Sequence, residues 1–319
     1  KKSFIQNNLD SLPRELKSRI KTLKEFDESY LEVPYEFATS IAAWKLIDIK
    51  QKYGRHAFCG MGGARTSCES SYMFQKFVRE AMDSPHVDNC ARVCHSPSLK
   101  GMRTTIGEGA ATNPFDDIYK TENIIVMGSN TTEAHPIVSN RMIKAVRDKI
   151  ATLTVIDVRQ IQLSKFGEQL IIPYEANLLV LNMMAYVILS EKLYNTEFID
   201  SRCTGFEAYK DSILNDPYAN PKYMKNVSGY EYLTEQIPTV ARLYATKKSM
   251  FFWGLGITEH LDGSYAVMAI THLAMMTGNI GKPGTGLMPL RGQNNVQGAC
   301  DTGCLPYYGP DYSVPEEIG

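Results

Sequence analysis

Two short stretches of this sequence concentrate side chains that do chemistry. One is Cys90-Ala91-Arg92-Val93-Cys94-His95-Ser96-Pro97-Ser98; the other runs from Arg291 through Gly292, Gln293, Asn294 and Asn295 to Cys300 and Asp301. The second packs four amides, a guanidinium and two glycines into eleven residues. That density suits a pocket for a polar, hydrogen-bond-rich ligand better than a surface loop. Several chemistries are open to the thiols. Cys90/Cys94 and Cys300/Cys304 are both C-x-x-x-C pairs, which allows a four-thiolate zinc or iron–sulfur site, although such sites more often use C-x-x-C. Cys94 and His95 as nucleophile and base are disfavoured, because neighbours in sequence rarely face each other productively. Plain core thiols are the commonest reading. A fourth is that the Cys94 thiolate is one ligand of a soft, redox-active metal whose other ligands come from a cofactor.

The elements that must position these stretches read as α/β. Asn123 to Met127 is a fully apolar run of strand length, stopped by Gly128-Ser129-Asn130. A helix is expected over about 136–147, then a second buried strand, Leu153 to Ile156, ending at Asp157. Strand, turn, helix, strand is a βαβ unit, and strands apolar along their whole length fit a parallel sheet covered on both faces. Gln169 to Ile172 repeats the pattern before a helix from Asn177 to Lys192, and a polar insertion is expected around Asn215 to Ser228. Met250 to Trp253, ended by Gly254-Leu255-Gly256, precedes a helix over 265–276. Nearer the start, Leu12 to Tyr53 reads as two polar helices, Ala57 to Gly60 as a short strand and Ser70 to Met82 as a helix. The fold class is α/β, doubly wound, with mostly parallel sheets and helices on both faces. In such sheets ligands sit beyond the carboxyl ends of the strands, which here carry Gly128–Asn130, Asp157-Val158-Arg159 and Gly254–Gly256. Asp157 suits a ribose or base edge, and Arg159 a base face or a phosphate. The dinucleotide pattern Gly-x-Gly-x-x-Gly is incomplete, with Glu259 where the third glycine belongs, and Gly281-Lys282 is followed by Pro283, so there is no Walker loop.

Composition sets the bounds. The 319 residues carry 34 Lys+Arg against 35 Asp+Glu, a formal charge of −1, with 44% apolar and 22% charged residues. Such a chain is an ordinary globular protein of about two domains. Its balanced charge argues against a nucleic-acid binder, which needs a basic face. The most apolar stretch, Leu178 to Leu189, is too short to span a bilayer and contains Asn182. Seven cysteines is an odd and modest number that does not read as a disulfide scaffold. With no export signal visible near Lys1, the cytoplasm is the expected compartment.

Taken together and in this order, the segments Cys90 to Ser98, Gly128-Ser129-Asn130 with His135-Pro136, Asp157-Val158-Arg159, Met276 to Gly281 and Arg291 to Asp301 resemble the catalytic subunit of the molybdenum/tungsten formate dehydrogenases. These belong to the bis-molybdopterin guanine dinucleotide oxidoreductases, and the resemblance covers roughly residues 35–306. It implies two dinucleotide-cofactor-binding domains, an incomplete one over residues 1–94 with 294–319 and a second over 95–293. By the same resemblance Cys94 stands where the family's cysteine or selenocysteine ligates the metal. His95 matches the active-site histidine, and Arg291 the arginine that holds formate. Asn130, Glu133, Asp157, Arg159, Asn177, Gly254, Leu255 and Gln293 fall where the family contacts one pterin dinucleotide, and Arg65 where it contacts the other. Glu133 replaces the usual aspartate, as Glu175 and Glu259 replace a common glycine and glutamine.

The implied activity is the reversible two-electron oxidation of formate to CO2. A planar two-pronged guanidinium suits a carboxylate anion better than an ammonium does. His95 is expected to stabilise the oriented anion or relay a proton, its pKa lying near working pH. The family's four-cysteine motif for a [4Fe-4S] cluster is absent from these residues, as are the lysine between cluster and pterin and the C-terminal capping domain. These are expected from further chain or from other chains, and iron–sulfur or flavin electron-transfer subunits are the expected partners. Within the superfamily, a nitrate reductase or a formylmethanofuran dehydrogenase is the alternative. From a different class, a degenerate non-catalytic subunit of a redox complex is another. For Arg291 alone, the bland alternative is a buried arginine paired with Asp301 or with a pterin phosphate.

Overall fold

The computed structural model describes residues 33–314, which fall into two compact units: residues 33–90 with 295–314, and residues 91–294. The expected first polar helix lies outside the described residues.

Among its described residues the smaller unit starts with the helix Tyr35–Tyr53, none of whose residues is fully buried. Its sheet has two parallel strands, β1 (Gly60–Gly62) and β2 (Val87–Asn89). The strand expected over 57–60 therefore starts three residues later, because Arg55–Ala57 closes into a 3-10 turn and Gly60 is the residue paired with Val87. Between the strands runs the helix Cys68–Lys76, continued by a π-turn over Phe77–Ala81. Ser67 caps that helix, its hydroxyl accepting from Ser70 N–H. The core here is small: Val78, Val87 and Cys304, with Phe58 and Phe74 packed against them.

The larger unit holds a five-stranded parallel sheet: β3 (Asn123–Met127), β4 (Thr152–Asp157), β5 (Glu168–Ile171), β6 (Ser249–Trp253) and β7 (Gly286–Pro289), in the order β5-β4-β3-β6-β7. The chain winds outward from β3 in one direction, then returns to add β6 and β7 on the other side. The crevice between β3 and β6 is thus the topological switch point of the sheet. Both strands are buried at every residue. Their alternate side chains feed two cores. Ile125, Met127, Phe251 and Trp253 pack with the helices Asn177–Ser190, Leu233–Thr246 and Gly263–Thr277; Ile124, Val126, Met250 and Phe252 pack with the helix Pro136–Arg147. The doubly wound α/β expectation holds. The sequence reading did not include β7, and three helices, Thr196–Arg202, Phe206–Leu214 and Leu233–Thr246, frame the stretch it read only as a polar insertion.

At the switch point the turns after β3 and β6 interlock. Gly128 has a φ of +59°, donates its N–H to Ile156 O at 3.0 Å and accepts from Gly256 N–H at 2.9 Å. A Cβ on Gly128 would stand 2.8 Å from the carbonyl carbon of Gly256. Only glycine permits both the dihedral and that approach.

Candidate active site

Cys94 ends the short helix Ala91–Cys94, and the longer helix Ser96–Ile106 follows, with Pro97 in its first turn where a missing N–H costs nothing. Cys94 is buried, and its carbonyl accepts from Thr258 Oγ in the turn after β6. A Cβ on Gly292 would lie 3.1 Å from Cys94 Sγ and 3.2 Å from Leu255 Cδ1. The sulfur therefore rests against the bare backbone beside Arg291, next to the Leu255 side chain. The sequence segments 90–98, 254–258 and 291–293, far apart in the chain, meet here.

His95 is fully buried. Its Nε2 lies 2.7 Å from Leu290 O, which can only accept, so Nε2 carries the proton. Ser98 Oγ is 2.9 Å from Nδ1 and also 2.9 Å from Trp253 Nε1. The indole can only donate, so the chain of bonds has one direction: Trp253 N–H to Ser98 oxygen, Ser98 O–H to His95 Nδ1, and His95 Nε2–H to Leu290 O. Burial, reinforced by the Arg291 charge and opposed by the Leu290 carbonyl, pushes the imidazole pKa down to about 4. The expectation of a value near working pH is corrected: this histidine is neutral at pH 7, because a dry site penalises the charged form.

Arg291 follows β7 through Leu290, whose N–H continues the ladder to Trp253 O at 2.9 Å. Its Nη2 donates to Gly109 O at 2.7 Å, and its own carbonyl accepts from His135 Nε2–H at 2.7 Å. Asp301, the alternative partner for this arginine, accepts from Gln297 and from the Tyr312 hydroxyl.

The remaining predicted residues spread along the strand ends. Asn130 closes the turn after β3, with its side-chain oxygen buried and without a hydrogen-bond partner. Glu133 is exposed on the next turn of helix. Asp157 ends β4, where burial raises its carboxyl pKa against the lowering effect of the Arg159 and Val158 backbone N–H groups, and Arg159 beside it is exposed. Asn177 is buried and donates to Gly256 O at 2.8 Å, bridging the helix after β5 to the glycine turn after β6. Gly254 is buried, while Leu255 and Gln293 are half-buried. Arg65 belongs to the smaller unit and is exposed there. The sequence reading gave no role to Ser98, His135, Gly109 or Trp253. The one available signal was His135-Pro136, a histidine poised where a helix begins.

Over residues 22–316 the chain matches the family model of the molybdopterin oxidoreductases. It belongs to that family. It is 40% identical over 288 residues to formate dehydrogenase H of Escherichia coli (strain K12), covering 89% of this chain and 39% of that protein. It is 38% identical over 300 residues to the F420-dependent formate dehydrogenase subunit alpha of Methanocaldococcus jannaschii, covering 93% of this chain and 43% of that one. The chain thus spans about two fifths of the length of these curated relatives. Among solved structures, acetylene hydratase from Pelobacter acetylenicus shares the fold, with a TM-score of 0.65 at 19% identity over 82% of this chain and 35% of its own.

A molybdopterin cofactor carrying molybdenum or tungsten goes with the family, and the residues here fit one. Asn130 Oδ1 is a buried polar atom without a partner beside the switch point, ready for a ligand's donor. Cys94 offers one soft donor, and among the described residues no three His, Cys, Asp or Glu side chains stand together as metal ligands. A four-thiolate centre is therefore not built in this structure. Among the described residues, no helix is long and apolar enough to cross a membrane.

Proposed function

We propose that this chain is part of the catalytic subunit of a formate dehydrogenase, which oxidises formate reversibly to CO2. Behind this reading stand the two curated formate dehydrogenases it resembles. The observation that carries it is the approach of Cys94 Sγ to the backbone next to Arg291. Such an arrangement puts a soft metal donor and a fixed guanidinium in one locale, as the oxidation of a small carboxylate requires.

In this reading Cys94 is the protein's ligand to the metal. Asn130, Glu133, Asp157, Arg159, Asn177, Gly254, Leu255 and Gln293 hold one of two pterin guanine dinucleotides, Arg65 contacts the other, and the two units correspond to two dinucleotide-binding domains. When bound, that cofactor supplies the redox centre that accepts the two electrons of the formate C–H bond. Arg291 orients the anion: a planar fork pairs with both carboxylate oxygens and aims the C–H one way. His95 enters as a neutral imidazole with its proton on Nε2, spent on Leu290 O, so it steadies the residue before Arg291. The low dielectric around it strengthens the pairing of anion and guanidinium. An iron–sulfur cluster and iron–sulfur or flavin subunits would take the electrons onward. A cytoplasmic location goes with this reading, since seven free thiols fit a reducing compartment.

The test uses the complete enzyme carrying this chain. It is expected to contain molybdenum or tungsten, release pterin and reduce a dye with formate. Arg291→Ala is expected to lower kcat/KM for formate about a hundredfold or more, and Arg291→Lys not to restore it. Formate oxidation undiminished in Arg291→Ala would overturn the role, and nitrate-dependent oxidation of reduced dye without formate activity would overturn the substrate.

A further inference from the structure

The turn after β7 exposes two successive carbonyl oxygens, and each accepts an imidazole N–H. Leu290 O is held by His95 and Arg291 O by His135, both at 2.7 Å. His135 is itself fixed at the junction between the helices Thr131–Ala134 and Pro136–Arg147. Its N–H donates to Thr131 O at 2.9 Å, and its carbonyl accepts from Ser139 N–H at 3.0 Å. Because Arg291 O only accepts, His135 Nε2 carries the hydrogen. Its other nitrogen, Nδ1, is buried with no partner. Leaving a polar atom so costs about 1–3 kcal/mol, which an apolar side chain of similar size avoids. An imidazole at this place is therefore explained by what its other edge does, and that edge does one thing: it holds Arg291.

We propose that His135 is a positioning residue for Arg291. Nη2 on Gly109 O tethers the guanidinium at one end, and the His135 bond tethers the backbone at the other. Both bonds restrict where the fork can point. Without the backbone tether the segment carrying Arg291 loses one of its anchors, and the aim of the guanidinium at a carboxylate loosens. This deepens the formate reading and rests on it for the identity of the anion, though not for the tether itself. Loss of an interaction that holds substrate and transition state alike raises KM and spares kcat.

The experiment compares His135→Leu with His135→Gln in the complete enzyme. Glutamine reaches far enough to offer an amide N–H where Nε2 stands; leucine fills the space and donates nothing. Should the leucine chain not fold, His135→Asn, whose amide falls short of the carbonyl, replaces it. Expected for leucine is a formate KM raised about tenfold with kcat within about threefold of wild type, and for glutamine a KM restored to within about threefold. Amide hydrogen exchange without formate is a second readout. Residues 289–293 are expected to exchange about tenfold faster in the leucine variant and at the wild-type rate in the glutamine variant. A leucine variant with unchanged KM and exchange, or a glutamine variant as impaired as leucine, would overturn the tether. If the wild-type enzyme does not oxidise formate, the substrate reading falls while the exchange rates still decide the tether.

Discussion

The two units of the chain treat similar residues differently. Among the described residues of the smaller unit the hydrophobic cluster is Val78, Val87 and Cys304, the sheet has two strands of three residues, and the helix Tyr35–Tyr53 has no fully buried position. Among its thiols, Cys68 Sγ accepts from Asn295 Nδ2 at 3.5 Å, Cys300 Sγ accepts from Asn89 Nδ2 at 3.8 Å and Cys304 Sγ donates to Asp88 O at 3.7 Å. In the larger unit Cys94 and His95 are buried, and with Arg291 they sit within a set of short, directional bonds anchored on β6 and β7. The difference teaches that residue type alone does not make a site. Of the two C-x-x-x-C pairs, Cys94 Sγ rests against Gly292, beside Arg291, at the strand ends of the larger unit, whereas Cys304 Sγ rests against Gly62 in the smaller unit, where Arg79 donates to the carbonyls of Gly303 and Leu305. Preorganisation around Cys94 comes from the fully buried strands β3, β6 and β7 behind it.

The bluntest way to break this comparison is to exchange the thiols. Cys94→Ser in the complete enzyme is expected to abolish nearly all molybdenum or tungsten retention, measured by elemental analysis, whereas Cys300→Ser leaves the metal content at the wild-type level. Equal losses in both would show that the two regions are not distinguished as described. A smaller effect concerns the glycine turns. Gly128→Ala places a methyl group against the Gly256 backbone at a positive φ, and is expected to cost about 2–4 kcal/mol in urea unfolding. Gly63→Ala, in the smaller unit, meets nothing within 4 Å and is expected to change stability by less than about 0.5 kcal/mol. A tolerated alanine at 128 would mean that the switch-point crevice is not tightly built.

How much of this was legible beforehand follows from where the information lies. Strands β3, β4 and β6 were readable because each is an apolar run ended by a polar or glycine turn, and a strand buried on both faces can have no other pattern. Strand β7 was not, since Gly286 and Pro289 are poor strand residues tolerated only at a sheet edge. The helix Leu233–Thr246 carries Pro238 inside it, which disguised its period. Cys94, His95 and Arg291 were picked out as chemistry by their neighbours in sequence, with family likeness giving each its role. Their partners were invisible: Ser98 to Trp253, His135 to Arg291 and His95 to Leu290 are separated by 155, 156 and 195 residues. Nor does composition reveal burial. His95 was expected near pH 7 because histidine ordinarily titrates there; its burial, and then the Arg291 charge, move it down.

That enclosure yields the gentlest test of the comparison. The His95 pKa is depressed from 6.5 to about 4, chiefly by burial and then by Arg291. Below about pH 6.5 the unfolded imidazole takes up a proton that the folded one refuses until about pH 4. Across that window the unfolded state binds more protons, so stability is full above pH 6.5 and declines as pH falls towards 4. The slope is about 1 kcal/mol per pH unit, and it vanishes on both sides of the window. His272, which burial also holds below its usual value, adds a similar trend. Comparison with His95→Gln removes it, since it is common to both chains. Between pH 7 and pH 5, the unfolding free energy of the wild type from urea titration is therefore expected to fall further than that of the glutamine variant, by about 1–2 kcal/mol, with its midpoint falling in step. Parallel midpoints would mean that His95 accepts a proton in the folded chain, and that the strand ends of the larger unit are wet. The contrast with the smaller unit would then rest on packing alone.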